Sequence, residues 1–339
     1  MKKKLKVIQY GINHEHAPGK YQSLGLLKDI FELVGVVDDT DLKSPSMPID
    51  REIYRDAPFI SSEAALNYPD LDCVLVEVPN LELVRIGKMF AERGIPMHMD
   101  KPCGESLEPY RELLELCEQK HLPFQMGYMY RGNPALNYLQ TLLREGALGD
   151  ISEVQMDMNH GYGGTRYQEY LGVFKGGIMF NLGCHLIDFV VSVFGAPEQV
   201  TPFLKSTPDV APHIRNNALA VLEYPHTVVM LRACSHQTAG TNYRRWCFIG
   251  SNGMAEVRPP ERFDGKPVEL HLILKNSAAH LPAGETTIQF PPQQDRYIVQ
   301  LKEFAEIIRG EKINPYTYAH DLLVHKITLA AAGYMKYKI

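Results

Sequence analysis

The chain has 339 residues, of which 45% are hydrophobic and 22% charged, and its formal net charge is −5. This length suits two domains with a core each, and the composition excludes a mainly disordered chain. The mildly acidic balance excludes a global pull toward nucleic acid or an anionic membrane, and no apolar run reaches the roughly 18–20 residues of a transmembrane helix.

Lys2, Lys3 and Lys4 open the chain like a signal peptide, but Leu5–Gly11 is too short and too polar for its apolar segment. The lysines read as a solvated tail before a strand. Cys73, Cys103, Cys117, Cys184, Cys234 and Cys247 form no CxxC pair and sit mostly in apolar surroundings. They read as reduced core thiols of a cytoplasmic protein.

Over residues 1–127, strand and helix patterns alternate. Strands are expected at Lys6–Gly11, Phe31–Val37, Cys73–Val78, Ile95–Met99 and Leu122–Met126, with helices at Leu81–Arg93 and Leu107–Lys120. Repeated β-then-α units predict a parallel sheet covered on both faces. From 128 to 339 the pattern changes. A helix at Pro134–Glu145 precedes a strand at Ile151–Asn159. Strand-like runs follow at Ala218–Tyr224, Thr227–Ala233, Arg245–Gly250, Val268–Leu274 and Thr286–Phe290, with turns at Pro225-His226 and Asn252-Gly253. This spacing predicts a largely antiparallel sheet. Helices at 296–309 and 318–335 close the chain, the last expected to pack back toward the N-terminal domain.

A strand running into Gly11, a helix, and a second strand ending in an acid is a dinucleotide-binding layout. The glycine permits the tight turn, the helix N-terminus receives the pyrophosphate, and the acid accepts from ribose hydroxyls. Asp38 lies 27 residues after Gly11, beyond the usual spacing of about 20. In Gly11-Ile12-Asn13-His14-Glu15-His16 the second glycine is Asn13 and the third is His16. Asn13 is expected to take left-handed backbone angles, with its side chain where the pyrophosphate wants bare backbone. The other reading is an ordinary βα turn. His14-Glu15-His16 does not have the spacing of HExxH, and no metal is expected. Asp38 and Asp39 would repel a ribose 2′-phosphate and no arginine follows at once, so NAD is favoured over NADP, with Lys43 keeping NADP open.

Lys101 follows a parallel strand and precedes Pro102, which biases its backbone away from helix. That places the lysine where ligands of open α/β sheets bind; a lone Lys-Pro pair also suits a plain surface turn. Residues 176–194 read as a helix apolar nearly all round. Its polar residues Asn181, His185, Asp188 and Ser192 are spaced 4, 3 and 4 apart and share a stripe. On a buried helix, such a stripe faces a polar cleft or forms an internal hydrogen-bonded network. Asn159–Tyr170 reads as a loop offering Tyr162 and Arg166 to a polyhydroxy ligand, or as a plain surface loop. Tyr128 and Arg131 lie at the expected domain junction.

Together these residues resemble the glucose–fructose oxidoreductase / inositol dehydrogenase / MocA family over nearly the whole chain. The resemblance rests on Val7–Gly11, Val36-Val37-Asp38, Pro79-Asn80, Met99-Asp100-Lys101-Pro102, Gly127-Tyr128 with Arg131, Gly146–Gly149, and Gly176-Gly177 through Asn181, His185 and Asp188. It implies an N-terminal Rossmann domain, a doubly wound parallel sheet, over 1–127. It also implies a C-terminal α+β domain over 128–339 with an open, mostly antiparallel sheet that forms dimers or tetramers. The activity implied is NAD(P)-dependent oxidation or reduction of a sugar, sugar acid or cyclitol hydroxyl. Lys101 and His185 would be the catalytic pair, with Asn181 beside them and a Lys-Pro bond that is sometimes cis. Gly11, Ile12, Asn13, His14, Asp38, Pro79, Asn80, Asp100 and Lys101 would bind the cofactor. Asp188, Tyr128, Arg131, Tyr162 and Arg166 would bind substrate. Asp100 replaces the family's Glu, and Asn181 replaces its Asp; an amide cannot share a proton as a carboxylate can. Two other readings follow from these departures and from relatives: a nucleotide- or sugar-sensing protein without turnover, and a glycoside-cleaving enzyme with a transient keto intermediate and recycled NAD.

Overall fold

The computed structural model describes residues 2–161 and 163–338. The chain divides into two compact units, Met1–Tyr128 with Tyr297–His325, and Met129–Arg296 with Lys326–Ile339.

The first unit runs β1 (Leu5–Tyr10), α1 (Ala17–Leu26), β2 (Phe31–Val37), α2 (Ser62–Leu66), β3 (Cys73–Val76), α3 (Leu83–Glu92), β4 (Met97–Met99), α4 (Leu107–Gln119) and β5 (Phe124–Met126). Its strands are parallel in the order β2-β1-β3-β4-β5. Burial on both faces explains the unbroken apolar runs such as Cys73–Val76, every residue of which is buried. The strand order reverses between β1 and β3, and ligands of open parallel sheets bind at such a point. α3 turns Leu83, Ile86, Phe90 and Ala91 inward, and α4 turns Tyr110, Leu113, Leu114 and Cys117 inward. Beyond β5, Asn314 donates to the Phe124 carbonyl (2.7 Å) and Tyr318 to that of Leu122 (2.6 Å). Residues from the C-terminal part of the chain thus satisfy the exposed edge of this sheet.

The second unit starts with α5 (Pro134–Arg144), whose N-cap Asn133 accepts from the amides of Ala135 and Leu136 while Pro134 pre-sets the first turn. Then come β6 (Ile151–Asp157), α6 (Thr165–Val173), a π-helical turn (Met179–Gly183), α7 (Cys184–Phe194), β7 (Gln199–Lys205), β8 (Asn217–Glu223), β9 (Val228–Cys234), the short α8 (Gly240–Tyr243), β10 (Trp246–Gly250), β11 (Gly253–Val257), β12 (Val268–Leu274) and β13 (Gly284–Phe290). α9 (Ile298–Ile308) and α10 (Tyr318–Ala331) end the chain. The eight strands order as β13-β12-β11-β10-β6-β9-β8-β7, antiparallel except for β6 with β9. α7 is buried from Cys184 to Val191. Phe189 meets Trp246 and Phe248 of β10 with ring centroids 5.1 and 5.7 Å apart.

Three sequence expectations change. Residues 165–173 are helical, not loop, because Tyr167, Tyr170 and Leu171 recur at helical spacing and are buried. The segment 176–194 is not one α-helix, since its first part widens into the π turn. Strands β7 and β11 were not expected. The doubly wound parallel sheet beside an open, mostly antiparallel one stands as expected.

Candidate functional site

In the first unit, the candidate residues begin at the turn after β1. Gly11 has φ of +106°, and a Cβ there would lie 2.6 Å from the Glu77 carbonyl carbon and oxygen, so the close approach of β1 and β3 requires glycine. Asn13 is not among the positive-φ residues. Its side chain instead donates to Asp39 Oδ1 at 2.6 Å, and the same oxygen accepts from the Ile12 and Asn13 amides at 2.9 and 3.2 Å. A buried carboxylate therefore shapes the loop where further glycines would be expected. Burial pushes the Asp39 carboxyl up, with the loop hydrogen bonds acting against it.

The end of β4 is fixed by side chains acting on main chain. The Lys101 amide donates to Asp100 Oδ1 (2.7 Å), and the Lys101 carbonyl accepts from Asn80 Nδ2 (2.8 Å). The His14 Nδ1 accepts from the His16 amide (3.2 Å), so its Nε2–H is free to donate to the Lys101 carbonyl (3.3 Å). That is the tautomer of a neutral ring, and burial lowers the His14 pKa to about 4. The Lys101–Pro102 bond is cis. The Lys101 side chain is fully buried, with its Nζ 3.6 Å from Glu15 Oε1.

Beneath lies Lys20, buried in α1, whose ammonium donates to both Glu77 and Asp100 at 2.7 Å. Burial pushes the Glu77 carboxyl well above the usual range. For Asp100, burial also opposes ionisation, but His14, Lys20 and His16 outweigh it and hold the carboxyl well below. The negative charge therefore belongs to Asp100. His14, His16 and Asp100 bring potential metal-ligand atoms within 4.8 Å of one another, yet Lys20 already supplies the cation on that carboxylate. Asp100 thus serves the Lys101 backbone.

Beside the loop, a cleft of about 770 Å³ is lined by Ile12, Asp38, Arg51, Tyr54, Arg55 and Arg85, among others. Asp38 stands at its rim with its carboxylate on Arg51 (2.9 Å) and Thr40. Pro79 and Asn80 are buried just beyond β3. Gly11 at the sheet's reversal point and an acid at the end of β2 suit a dinucleotide, while the Ile12 and Asn13 amides are already engaged by Asp39.

In the second unit, the candidate residues lie on the π turn and α7. Gly177, with φ of +50°, opens the segment where a Cβ would meet the Arg215 carbonyl at 2.0 Å. Asn181 accepts from the Tyr167 hydroxyl at 3.2 Å, Ser192 receives Gln140, and Asp188 takes a two-pronged bond from Arg131 at 3.0 and 2.6 Å. This part of the stripe is an internal network. Asp188 and Arg131, both expected to meet substrate, are buried on each other. His185 is buried, with the Tyr130 ring at 5.4 Å, edge to face. Arg244 donates to the Tyr130 hydroxyl (3.1 Å), the Asn159 carbonyl (3.1 Å) and Glu261 (3.4 Å). Arg166 is exposed on α6, and Tyr162 lies outside the described residues. Tyr128 is buried as the last residue of the first unit's N-terminal part.

Lys101 therefore belongs to one unit, and Asn181 and His185 to the other. Sequence reasoning missed Lys20, Glu77, Arg51, Tyr130, Tyr167 and Arg244. Only Tyr167 had a local signal, the helical spacing it shares with Tyr170 and Leu171.

Residues 10–128 match the model of the oxidoreductase family with the NAD-binding Rossmann fold, and residues 136–256 match that of the GFO/IDH/MocA C-terminal domain. The chain belongs to the GFO/IDH/MocA family. Among its GFO/IDH/MocA relatives is the uncharacterized oxidoreductase YdgJ of Escherichia coli (strain K12), 27% identical over 191 residues, 55% of this chain and 54% of YdgJ. Another is the scyllo-inositol 2-dehydrogenase (NADP(+)) IolW of Bacillus subtilis (strain 168), 25% identical over 185 residues, 52% of this chain and 51% of IolW. The matches thus span about half of these two relatives. The structure of the protein yvaA of Bacillus subtilis shares the fold, with a TM-score of 0.75 at 19% identity, over 97% of this chain and 96% of that one. The GFO/IDH/MocA cofactor is a nicotinamide dinucleotide, which the loop and cleft of the first unit suit. Among the described residues, no helix is long and apolar enough to cross a membrane.

Proposed function

We propose that this chain is an NAD(P)-dependent dehydrogenase acting on a secondary alcohol of a sugar, sugar acid or cyclitol. The single observation that carries the reading is the treatment of Lys101. Three buried side chains, Asp100, Asn80 and His14, fix its backbone at the end of a parallel strand, in the unit that holds the dinucleotide cleft. Such an investment in one lysine's backbone is unexplained by a surface turn. IolW, named for a cyclitol substrate, supports the substrate class.

In this reading, residues 1–127 bind the dinucleotide and residues 128–339 recognise substrate. Gly11, Ile12, Asn13 and His14 form the turn beside the pyrophosphate, Asp38 meets the ribose, and Pro79 and Asn80 the nicotinamide end. The bound nucleotide supplies the hydride acceptor. His185 takes the hydroxyl proton as general base. The Lys101 ammonium stabilises the alkoxide that develops and polarises the carbonyl formed from it. Asn181, held by Tyr167, orients His185 or the substrate through its amide. Arg131 and Asp188 hold α7 in place.

The outer face of the eight-stranded sheet exposes Phe203, Val228 and Ile273, which supports pairing with further copies of this chain. Six free, buried cysteines support a reducing, cytoplasmic setting.

The test is a screen of polyols, sugars and sugar acids with NAD and NADP, followed by Lys101→Met and His185→Asn on the best substrate. Each substitution is expected to lower turnover by about a hundredfold or more. Wild-type turnover in both variants would sink the mechanism. Nucleotide and sugar binding with no turnover on any substrate would favour the sensing reading, which the amide at Asn181 supports.

A further inference from the structure

Two acids at the end of β2 argue, in sequence, against a ribose 2′-phosphate. The structure alters both. Asp39 turns inward to the loop amides, with both of its close partners on Ile12 and Asn13. Asp38 remains at the cleft, but its charge is met by Arg51, 13 residues further along, at 2.9 Å. Arg51 also donates to Thr40 Oγ1, which itself donates to Asp38 at 2.5 Å.

Arg51 is not on a loose loop. It opens a 3-10 turn, Arg51–Tyr54, capped by Asp50 accepting from the Glu52 amide at 3.0 Å. Tyr54 is buried against Ile12 and Val36, and its hydroxyl accepts from Gln9 at 3.1 Å. The turn is therefore anchored under the cofactor loop, and the guanidinium is delivered to the rim of the cleft. The pair itself is open to water, with side-chain exposures of 52% for Arg51 and 39% for Asp38, so little opposes its opening. Arg55 and Arg85 line the same cleft, but Arg55 is engaged by Glu52 (2.6 Å) and Arg85 by Glu82 (2.8 Å).

We propose that Arg51 is a specificity-determining residue that lets the ribose end of the cleft take either nucleotide. With a free 2′-hydroxyl, Asp38 accepts from the ribose and keeps Arg51. With a 2′-phosphate, the guanidinium leaves Asp38 and takes the phosphate, to which its planar donors are suited. Asp38 then stands beside the phosphate as a like charge, so the phosphorylated nucleotide is accepted rather than preferred. This inference deepens the dinucleotide reading and rests on it.

The test is a fluorescence titration with NADH and NADPH, with 5′-AMP and 2′,5′-ADP as competing fragments, so that no turnover is needed. Wild-type Kd values for the two nucleotides are expected within about tenfold of each other. Arg51→Ala is expected to raise the NADPH Kd about tenfold or more and the NADH Kd less than about threefold, with 2′,5′-ADP following NADPH. Asp38→Asn is expected to tighten NADPH and weaken NADH. The proposal is overturned if NADPH binding is insensitive to Arg51, or if Arg51→Ala weakens both nucleotides equally, which marks a structural role. Wild-type protein that binds neither nucleotide nor fragment overturns the dinucleotide reading itself, whereas normal NADH binding with Arg51-insensitive NADPH binding overturns this proposal alone.

Discussion

In the first unit, Asp100 gathers Lys20, His16 and the Lys101 amide on one carboxylate, and Asp39 gathers the Ile12 and Asn13 amides. In the second, Asp188 faces the guanidinium of Arg131, and Gln168 faces Ser235 and Asn216. In these examples the first unit's carboxylates also take main-chain amides, whereas the second unit's groups take side chains. In the proposed reading, the first unit shapes the turn beside the dinucleotide, and the second locks the helix whose side chains would meet a substrate hydroxyl.

The strongest way to break the comparison is to strand one charge in the second unit. Arg131→Met removes the guanidinium from the buried Asp188 carboxylate and is expected to cost about 3–5 kcal/mol in urea unfolding at neutral pH. Adding Asp188→Leu should recover most of that loss, because an apolar pair of similar size needs no desolvation compensation. If the double variant is no more stable than the single one, the pair does more than neutralise charge.

The backbone side of the comparison is sharpened at Gly11. Gly11→Ala forces a methyl to within 2.6 Å of the Glu77 carbonyl at a φ of +106°. A loss of about 1–3 kcal/mol is expected by thermal unfolding, together with loss of NADH fluorescence enhancement. An alanine variant that binds NADH normally would show that the loop does not need this turn.

The smallest effect is expected at Asp157, at the end of β6, where burial pushes the carboxyl up to about 6. The folded value lies above the ordinary 3.8, so the native state favours the proton, and stability is lost as pH rises from about 4 through 6. Asp157→Asn should therefore raise the melting temperature at pH 7.5 and leave it unchanged at pH 3.5. A gain that is equal at both pH values would assign the effect to something other than ionisation.

These contrasts also explain what the sequence could disclose. The turn at Gly11, the strand end before Lys101 and the buried helix that carries His185 were legible because they are local patterns. Strand β7 was not, because Pro202 lies within it; the proline is tolerated since β7 is the outermost strand of its sheet. Strand β11 is only Gly253–Val257, and its glycine and glutamate hide the alternation. Tyr130, Arg244 and Glu261 come from three distant segments, and no spacing links them. Arg51 reaches Asp38 only because Tyr54 anchors its turn, a tertiary fact invisible in composition. The sequence did not show that the His14 and His16 rings meet the Lys101 carbonyl and the Asp100 carboxylate, because those partners lie more than 80 residues away.

The strand order of the second unit has a bearing on how that sheet assembles. β7–β8–β9 and β10–β11–β12–β13 are each chains of antiparallel neighbours joined over short sequence distances, yet β6, which ends at Asp157, is inserted between β9, starting at Val228, and β10. The two meanders can form from local encounters, whereas seating β6 closes a loop that contains α6, α7 and the first meander. Loop-closure entropy therefore falls most heavily on the two seams that flank β6, with β9 and with β10, and the segment carrying Asn181 and His185 is what must be in place when they close.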